Sequence, residues 1–170
     1  MKYLLIDTST DVMVIMLHED KKLIDSVYRQ GKSDHQSHII PLIEELLSKN
    51  NTEIKQIDEF IIGIGPGSYT GLRVGLMTAK MLAFTLNKPL KKISSLAFLS
   101  SAYDEEHIVW HDARNNDGFQ GLFKQAKLIG IESVRNLDDL SDEEKGKLLV
   151  INKDTIKVDS NRIIENTEEV

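Results

Sequence analysis

The pattern of apolar and polar residues predicts strands and helices that alternate along the chain. Three short β-prone runs come first, at residues 3–6, 12–17 and 23–28, and turn-forming residues separate them. Runs linked this tightly form an antiparallel meander. Apolar residues between 39 and 47 then recur at helical spacing. We therefore expect this helix to be a crossover, so that a fourth strand at 57–64 runs parallel to the first.

A glycine-rich loop follows the fourth strand. The β-branched run ends at Ile64, and Gly65-Pro66-Gly67-Ser68-Tyr69-Thr70-Gly71 leads into a helix that reaches about Asn87. A strand–loop–helix junction of this kind suits an anion, because backbone N–H groups and the helix dipole point at one place. The spacing fits neither the Walker A loop nor the dinucleotide fingerprint, which needs a third glycine where Ser68 stands. The glycines either bind an anion or allow close packing, and we favour packing.

The helix after this loop has two apolar stripes, whereas a surface helix normally has one. Gly71 and Gly75 share one face of the helix, and each glycine costs roughly 1 kcal/mol relative to alanine. We interpret them as places where another backbone comes very close. The second stripe indicates a helix that lies between two layers or is covered by another protein. The two stripes are Leu72, Leu76, Ala79, Ala83 and Leu86, and Val74, Met77, Met81 and Phe84.

The alternation of elements predicts an α/β protein. A fifth strand and a short helix complete a mixed five-stranded sheet within residues 1–104. A second segment at residues 105–170 follows, in which the sequence at 115–118, Asn-Asn-Asp-Gly, predicts a hairpin. From Asp138 the chain is polar and acidic, and we expect its last six residues to be disordered.

Composition and charge narrow the class of protein. The net charge of -6 is concentrated in residues 132–170, where 6 basic and 11 acidic groups give -5. The chain has no basic stripe of the kind that a nucleic-acid surface needs. No apolar run reaches the roughly 20 residues of a membrane span, and the N-terminal apolar segment is too short for a signal peptide. With no cysteine in the sequence, we expect a cytoplasmic protein without membrane contact.

Two groups of residues are candidates for chemistry. Asp7-Thr8-Ser9 ends the first strand, where a carboxylate beside hydroxyls can hold magnesium or the phosphates of a nucleotide, although such a run is more often a satisfied turn. His35 and His38 have a spacing that suits metal ligands, but an exposed pair without metal is the interpretation we favour. We find no nucleophile–base pair with an orienting group, and no complete catalytic set of any class.

Five motifs in order carry a family resemblance. They are Leu4–Thr10, Ser37–Ile43, Gly65–Gly75, Ser94–Leu96 and Asp112–Arg114. Together they resemble the TsaB (YeaZ) family, the bacterial subunit needed to make threonylcarbamoyladenosine in tRNA. The resemblance covers residues 3 to about 127, and nothing aligns beyond about residue 130.

The resemblance implies a fold, partners and a role. The implied fold is that of actin-like ATPases (ASKHA, ribonuclease H-like), with an N-terminal lobe at residues 1–104 and a shortened second lobe at residues 105–170. The chain is implied to be a non-catalytic subunit that pairs with a TsaD-like catalytic subunit, which a TsaE-like ATPase joins. No cofactor is expected on this chain, since ATP and a divalent metal belong to the partner subunits. The chain is implied to contact tRNA only through the complex and to form a homodimer when alone.

The resemblance also implies which residues meet the partner. One apolar stripe of the glycine-faced helix would cover the sheet, and the other would form a helix bundle with the partner. Asp7, Thr8 and Ser9 are a possible nucleotide loop with Asp112 as the candidate companion carboxylate. The implied interface residues are His38, Leu42, Leu46, Gly71, Leu72, Arg73, Gly75, Leu76 and Ala79.

Two other functions stay open from the sequence. A small ATP-dependent phosphotransferase of the actin-like fold would use Asp7 and Asp112 around magnesium. A metallopeptidase would need His35 and His38 to bind zinc.

Overall fold

The structure, a computed structural model, describes all 170 residues and contains two β-sheets. The strands are β1 (Lys2–Asp7), β2 (Val12–Glu19), β3 (Lys22–Gln30), β4 (Glu59–Gly63), β5 (Leu90–Ile93), β6 (His107–Arg114), β7 (Asp117–Lys124), β8 (Lys127–Leu128), β9 (Ser133–Asn136), β10 (Leu148–Val150) and β11 (Glu168–Glu169). The helices are α1 (His35–Lys49), α2 (Tyr69–Leu86), α3 (Ser95–Leu99), α4 (Asp142–Gly146) and α5 (Ser160–Glu165), with 3-10 turns at Ile54–Gln56 and Leu137–Asp139.

The first sheet has the order β11-β5-β4-β1-β2-β3. Strands β1, β2 and β3 form the predicted antiparallel meander, and β4 lies parallel to β1 as expected from the crossover helix α1. Strand β5 continues the parallel part of the sheet beside β4. The predicted mixed α/β sheet is therefore confirmed, except that it has a sixth strand.

The sixth strand comes from the end of the chain. β11 pairs antiparallel with β5, and the Val170 N–H donates to the carbonyl of Leu90 over 3.3 Å. Lys92 on β5 places its Nζ 3.7 Å from Glu168 Oε2. The prediction of a disordered end is wrong, because an acidic strand of two residues is complementary to the basic edge strand beside it.

The second sheet has the order β10-β6-β7-β8, and β9 also pairs with β7. The predicted hairpin joins β6 to β7 through Asn115 and Asn116, whose φ angles are 55° and 63°. Asparagine accepts this left-handed conformation more readily than most residues, so the Asn-Asn pair fits a two-residue turn.

The core lies on both faces of the first sheet. Successive side chains of β1 point to opposite faces, so Leu4 and Ile6 enter the cluster beneath α1 and α2, whereas Leu5 enters the second cluster. That second cluster fills the space between the two sheets and includes Phe98 and Phe123. Strand β1 is thus buried on both faces, as its continuous apolar run predicts.

Hydrogen bonds join the start of α5 to the segment that follows α3 and leads into the second sheet. Arg162 donates from Nη1 to the carbonyls of Ser101 and Tyr103 over 3.0 and 3.3 Å, and it also pairs with Asp104. The Asp159 N–H donates to Ser101 Oγ over 2.8 Å. Helix α5 and β11 therefore return to the first sheet, which differs from the predicted division into residues 1–104 and 105–170.

Candidate functional site

The glycine face of α2 packs against the end of β1. A Cβ atom added at Gly71 would lie 2.1 Å from the carbonyl oxygen of Thr8, and one added at Gly75 would lie 2.2 Å from Thr8 Oγ1. Thr8 Oγ1 donates to the Gly71 carbonyl over 2.7 Å. No larger side chain fits between these backbones, so the packing interpretation of the glycines is confirmed.

This contact involves several residues of the predicted partner interface. Gly71, Gly75, Ala79 and Leu46 are buried within the chain itself. In this chain they contribute no exposed surface, so their assignment to the interface stays a prediction that the burial does not support. The physical reason is that the glycines bring α2 onto the protein's own strand end rather than onto a second polypeptide.

The other predicted interface residues on α1 and α2 are partly or largely exposed. Leu42 and Leu76 are half-buried against the core, and Leu72 is also half-buried. His38 has a half-exposed side chain whose Nε2 lies 3.4 Å from the carboxylate of Asp34. Arg73 alone among the predicted residues is largely exposed on α2.

The second apolar stripe of α2 is exposed. Phe84 is 90% exposed, Met77 67% and Met81 54%, whereas Val74 is half-buried. Beside this stripe a groove of about 290 Å³ separates α2 from Ile40 of α1. One stripe therefore covers the sheet and the other faces outward.

A cleft of about 620 Å³ lies between the two lobes. Four segments line it: the β1–β2 loop, the residues that precede and begin α1, the glycine loop, and the end of β6. The predicted residues Ser9 and Asp112 line this cleft, but Asp7 and Thr8 do not. The structure thus does not bring together the predicted nucleotide loop.

Asp7 is fully buried behind the β1–β2 loop. Its Oδ1 accepts hydrogen bonds from the Ser9 N–H (2.9 Å) and the Ser9 hydroxyl (2.6 Å), whereas its Oδ2 has no partner. A Cβ atom at Gly63 would lie only 1.8 Å from Oδ2, so strand β4 closes over the carboxylate. Burial raises the pKa of Asp7, and the hydroxyls of Ser9 and Ser95 together with the Ser9 N–H oppose that rise.

The two predicted histidines belong to separate local contacts. His35 is buried, and its Nε2 lies 2.7 Å from the carbonyl oxygen of Thr10. His38 pairs with the aspartate that precedes α1. Nowhere in the 170 residues do three or more His, Asp or Glu side chains converge as a metal site would require. None of the helices is both long enough and apolar enough to cross a bilayer.

Sequence reasoning missed the part of α1 that borders the exposed stripe. Gln36 and Ile40 line the groove, and Glu44 follows one turn later. The available signal was their four-residue spacing, which places them on one side of the helix.

Comparisons with known proteins place these features in a class. The family model described as "TsaD: tRNA N6-adenosine threonylcarbamoyltransferase" matches residues 27–134. The chain is thus an α/β protein of the TsaD-related class, with mixed sheets.

Individual relatives narrow the class to a family. A TsaB of Buchnera aphidicola is 32% identical over 164 residues, which cover 86% of this chain and 72% of that protein. The TsaB of Haemophilus influenzae is 34% identical over 120 residues, covering 67% and 50% respectively. The structure of YeaZ from Pseudomonas aeruginosa superimposes with a TM-score of 0.73 at 29% identity, covering 78% of this chain and 66% of YeaZ. The chain belongs to the TsaB (YeaZ) family.

The chain is shorter than most of these relatives. It spans 50% of the Haemophilus influenzae TsaB and 56% of the Bacillus subtilis TsaB, which is 31% identical over 127 residues. These relatives are described as tRNA threonylcarbamoyladenosine biosynthesis proteins.

Proposed function

We propose that this chain is a non-catalytic subunit that pairs with a TsaD-like catalytic subunit in the formation of threonylcarbamoyladenosine next to the tRNA anticodon. Membership of the TsaB family supports the pathway. The observation that carries the pairing is the outward stripe of α2, with Met77, Met81 and Phe84 exposed. We call this stripe, together with the groove beside Ile40, the pairing face.

The energetics of the pairing face favour a protein partner. Burying an exposed Met or Phe side chain is worth about 1.5–3 kcal/mol, so three such side chains can supply a large part of a binding free energy. In a chain without its partner, the same surface favours self-association. We therefore propose a homodimer for the chain alone and a heterodimer when the catalytic subunit is present.

The remaining parts of the proposal concern the complex. Catalysis, ATP and a divalent metal belong to the TsaD-like subunit and a TsaE-like ATPase, and tRNA binds through the complex in the cytoplasm. The fold is proposed to be actin-like with a shortened second lobe. One observation supports a non-catalytic role: Asp7 is buried outside the cleft that Asp112 lines. The same observation disfavours the phosphotransferase alternative, and the separate local contacts of His35 and His38 disfavour the metallopeptidase.

The proposal is tested by mixing the chain with the TsaD-like subunit and measuring the mass of the complex and its Kd. Phe84→Ala removes the most exposed apolar side chain of the pairing face. A central aromatic residue typically costs 2 kcal/mol or more when truncated, so we expect at least about 30-fold weaker binding.

Ile131→Ala is the matched control, because Ile131 is also highly exposed but lies between β8 and β9 of the second sheet. The Ile131→Ala variant should bind the TsaD-like subunit with the same affinity as the unmodified chain. Absence of any complex, or an equal loss in both variants, would contradict the proposal.

A further inference from the structure

We infer that the pairing face is electrostatically polarised, and that it fits a partner helix pair with acidic side chains opposite α2 and basic side chains opposite α1. This inference rests on the proposed function, because it concerns the same face. The juxtaposition that carries it is two exposed cations on α2, Arg73 and Lys80, and the exposed carboxylate of Glu44 on α1, none of which forms a salt bridge within the chain. Arg73 also lines the groove that separates the two helices.

The basic side of the face belongs to α2. Arg73 and Lys80 are the helix's only charged residues, and α2 contains no Asp or Glu. They lie seven residues apart, two turns along one side of the helix, next to Met77 and Phe84. Both are exposed, and neither forms a salt bridge within the chain. Arg73 contacts only Tyr69: its Nη1 donates to the Tyr69 hydroxyl over 3.5 Å, and its Cζ lies 5.4 Å from the centroid of the ring. These cations are therefore free to meet carboxylates of another molecule.

The acidic side of the face belongs to α1. Ile40 lines the groove between the helices, and Glu44 lies one turn further along the same side. Glu44 and its neighbour Glu45 are exposed, and neither forms a salt bridge. Glu44 thus presents a carboxylate on the α1 side of the groove, whereas Arg73 and Lys80 present cations on α2.

Polarity of this kind selects a partner and its orientation. Like charges placed opposite each other at an interface cost several kcal/mol, whereas complementary charges speed association and fix the register. A second copy that packed α2 against α2 would place Arg73 and Lys80 against the same cations. The pattern therefore points to a different protein with the reverse arrangement of charges, and a second copy with α1 crossed over α2 is the competing occupant.

The first test maps the contacts with a carbodiimide, which joins amines to carboxylates only where they touch. The probe is an equimolar mixture of this chain and the TsaD-like subunit, analysed by mass spectrometry. We expect Lys80 to be linked to Asp or Glu of the partner, and Glu44 to Lys of the partner. Links from Lys80 to Glu44 or Glu45 of another copy of this chain, without links to the partner, would overturn the inference.

The second test reverses the charges. Arg73→Glu with Lys80→Glu should weaken binding to the TsaD-like subunit at least 10-fold, mainly through a slower association rate, and raising the salt concentration should shrink the difference. The control is Lys124→Glu with Lys153→Glu, which changes the net charge equally at two exposed lysines without salt bridges in the second lobe.

The outcomes separate this inference from the proposed function. If the unmodified chain does not bind the TsaD-like subunit, the proposed function fails. If it binds, but the charge-reversed variant binds within twofold of the control at low salt, the polarity is wrong and the pairing stands. If only the variant changed at Arg73 and Lys80 binds the TsaD-like subunit more weakly, the polarity and the proposed function are both supported.

Discussion

The two faces of α2 are both apolar, yet they have opposite roles. One face has Gly71, Gly75 and Ala79, and at the two glycines it packs so closely on the end of β1 that no side chain fits. The other has Met77 and Phe84, and nothing in the chain covers it. The difference shows that small residues mark the close contact inside the protein, and that large exposed ones mark the surface left for another molecule.

The largest expected effect comes from filling the glycine face. Gly75→Leu places side-chain atoms where Thr8 Oγ1 already lies 2.2 Å from the added Cβ, with Ile62 Cδ1 at 3.2 Å. Overpacking costs typically 1–3 kcal/mol for small insertions, so a leucine should lower the free energy of unfolding by at least about 3 kcal/mol. Urea unfolding monitored by circular dichroism measures this.

A milder pair of variants checks the cause of that loss. Gly75→Ala should be destabilising alone, and Thr8→Ala should recover part of the loss by removing the hydroxyl that the new Cβ meets. Additive effects in the double variant would show that Thr8 is not the obstacle. The earlier expectation that Gly75 belongs to the partner interface predicts instead a stable chain that cannot pair.

A smaller effect on stability is expected at Asp7, the buried residue that precedes Thr8. Because burial raises its pKa, the native state binds the proton more tightly than the unfolded chain does. Stability from this group is thus greatest below its unfolded pKa, near 4, and falls as pH rises through the native value. Asp7→Asn keeps an acceptor for Ser9 and removes the charge. The variant should gain about 1 kcal/mol at pH 7, since an unsatisfied buried group costs about 1–3 kcal/mol.

The measurement for Asp7→Asn is urea unfolding at several pH values between 3.5 and about 8, as the carboxyl range of pKa values requires. The gain in free energy of unfolding should vanish at the lowest pH values, where Asp7 of the unmodified chain is protonated in both the native and the unfolded state. A gain that does not depend on pH would mean that the charge is not its source.

The smallest expected effect on stability is on the outward face. Phe84→Gln changes a side chain with few contacts inside the chain, so the free energy of unfolding should stay within about 0.5 kcal/mol. Self-association measured by sedimentation should nevertheless decrease. A large loss of stability would show that Phe84 supports the fold, and the contrast between the two faces would then be lost.

Most of the fold could be predicted from the sequence because its strands are long apolar runs. Strands β1 and β4 are buried on both faces, so their runs have no competing interpretation. Strand β11 could not be predicted, because it has two glutamates and forms only where Lys91 and Lys92 offer an edge. Its pairing depends on a partner about 75 residues earlier in the chain, and a local pattern cannot reveal such a contact.

The candidate site was predicted only in part. The outward stripe followed from periodicity, but periodicity does not tell which side of a helix faces the sheet. The resemblance implied His38 and Leu42, whereas Gln36 and Ile40 border the groove. Asp7 ends β1 as the sequence predicts, but the sequence does not show that Gly63 closes over its carboxylate.

The return of the last residues to β5 has a consequence for synthesis on the ribosome. Until residues 168–169 emerge, β5 has an open hydrogen-bonding edge, while the whole second lobe is still being made. An open edge is a template for pairing with other nascent chains. Lys91 and Lys92 give that edge positive charge, which discourages such pairing until the acidic segment arrives to occupy it.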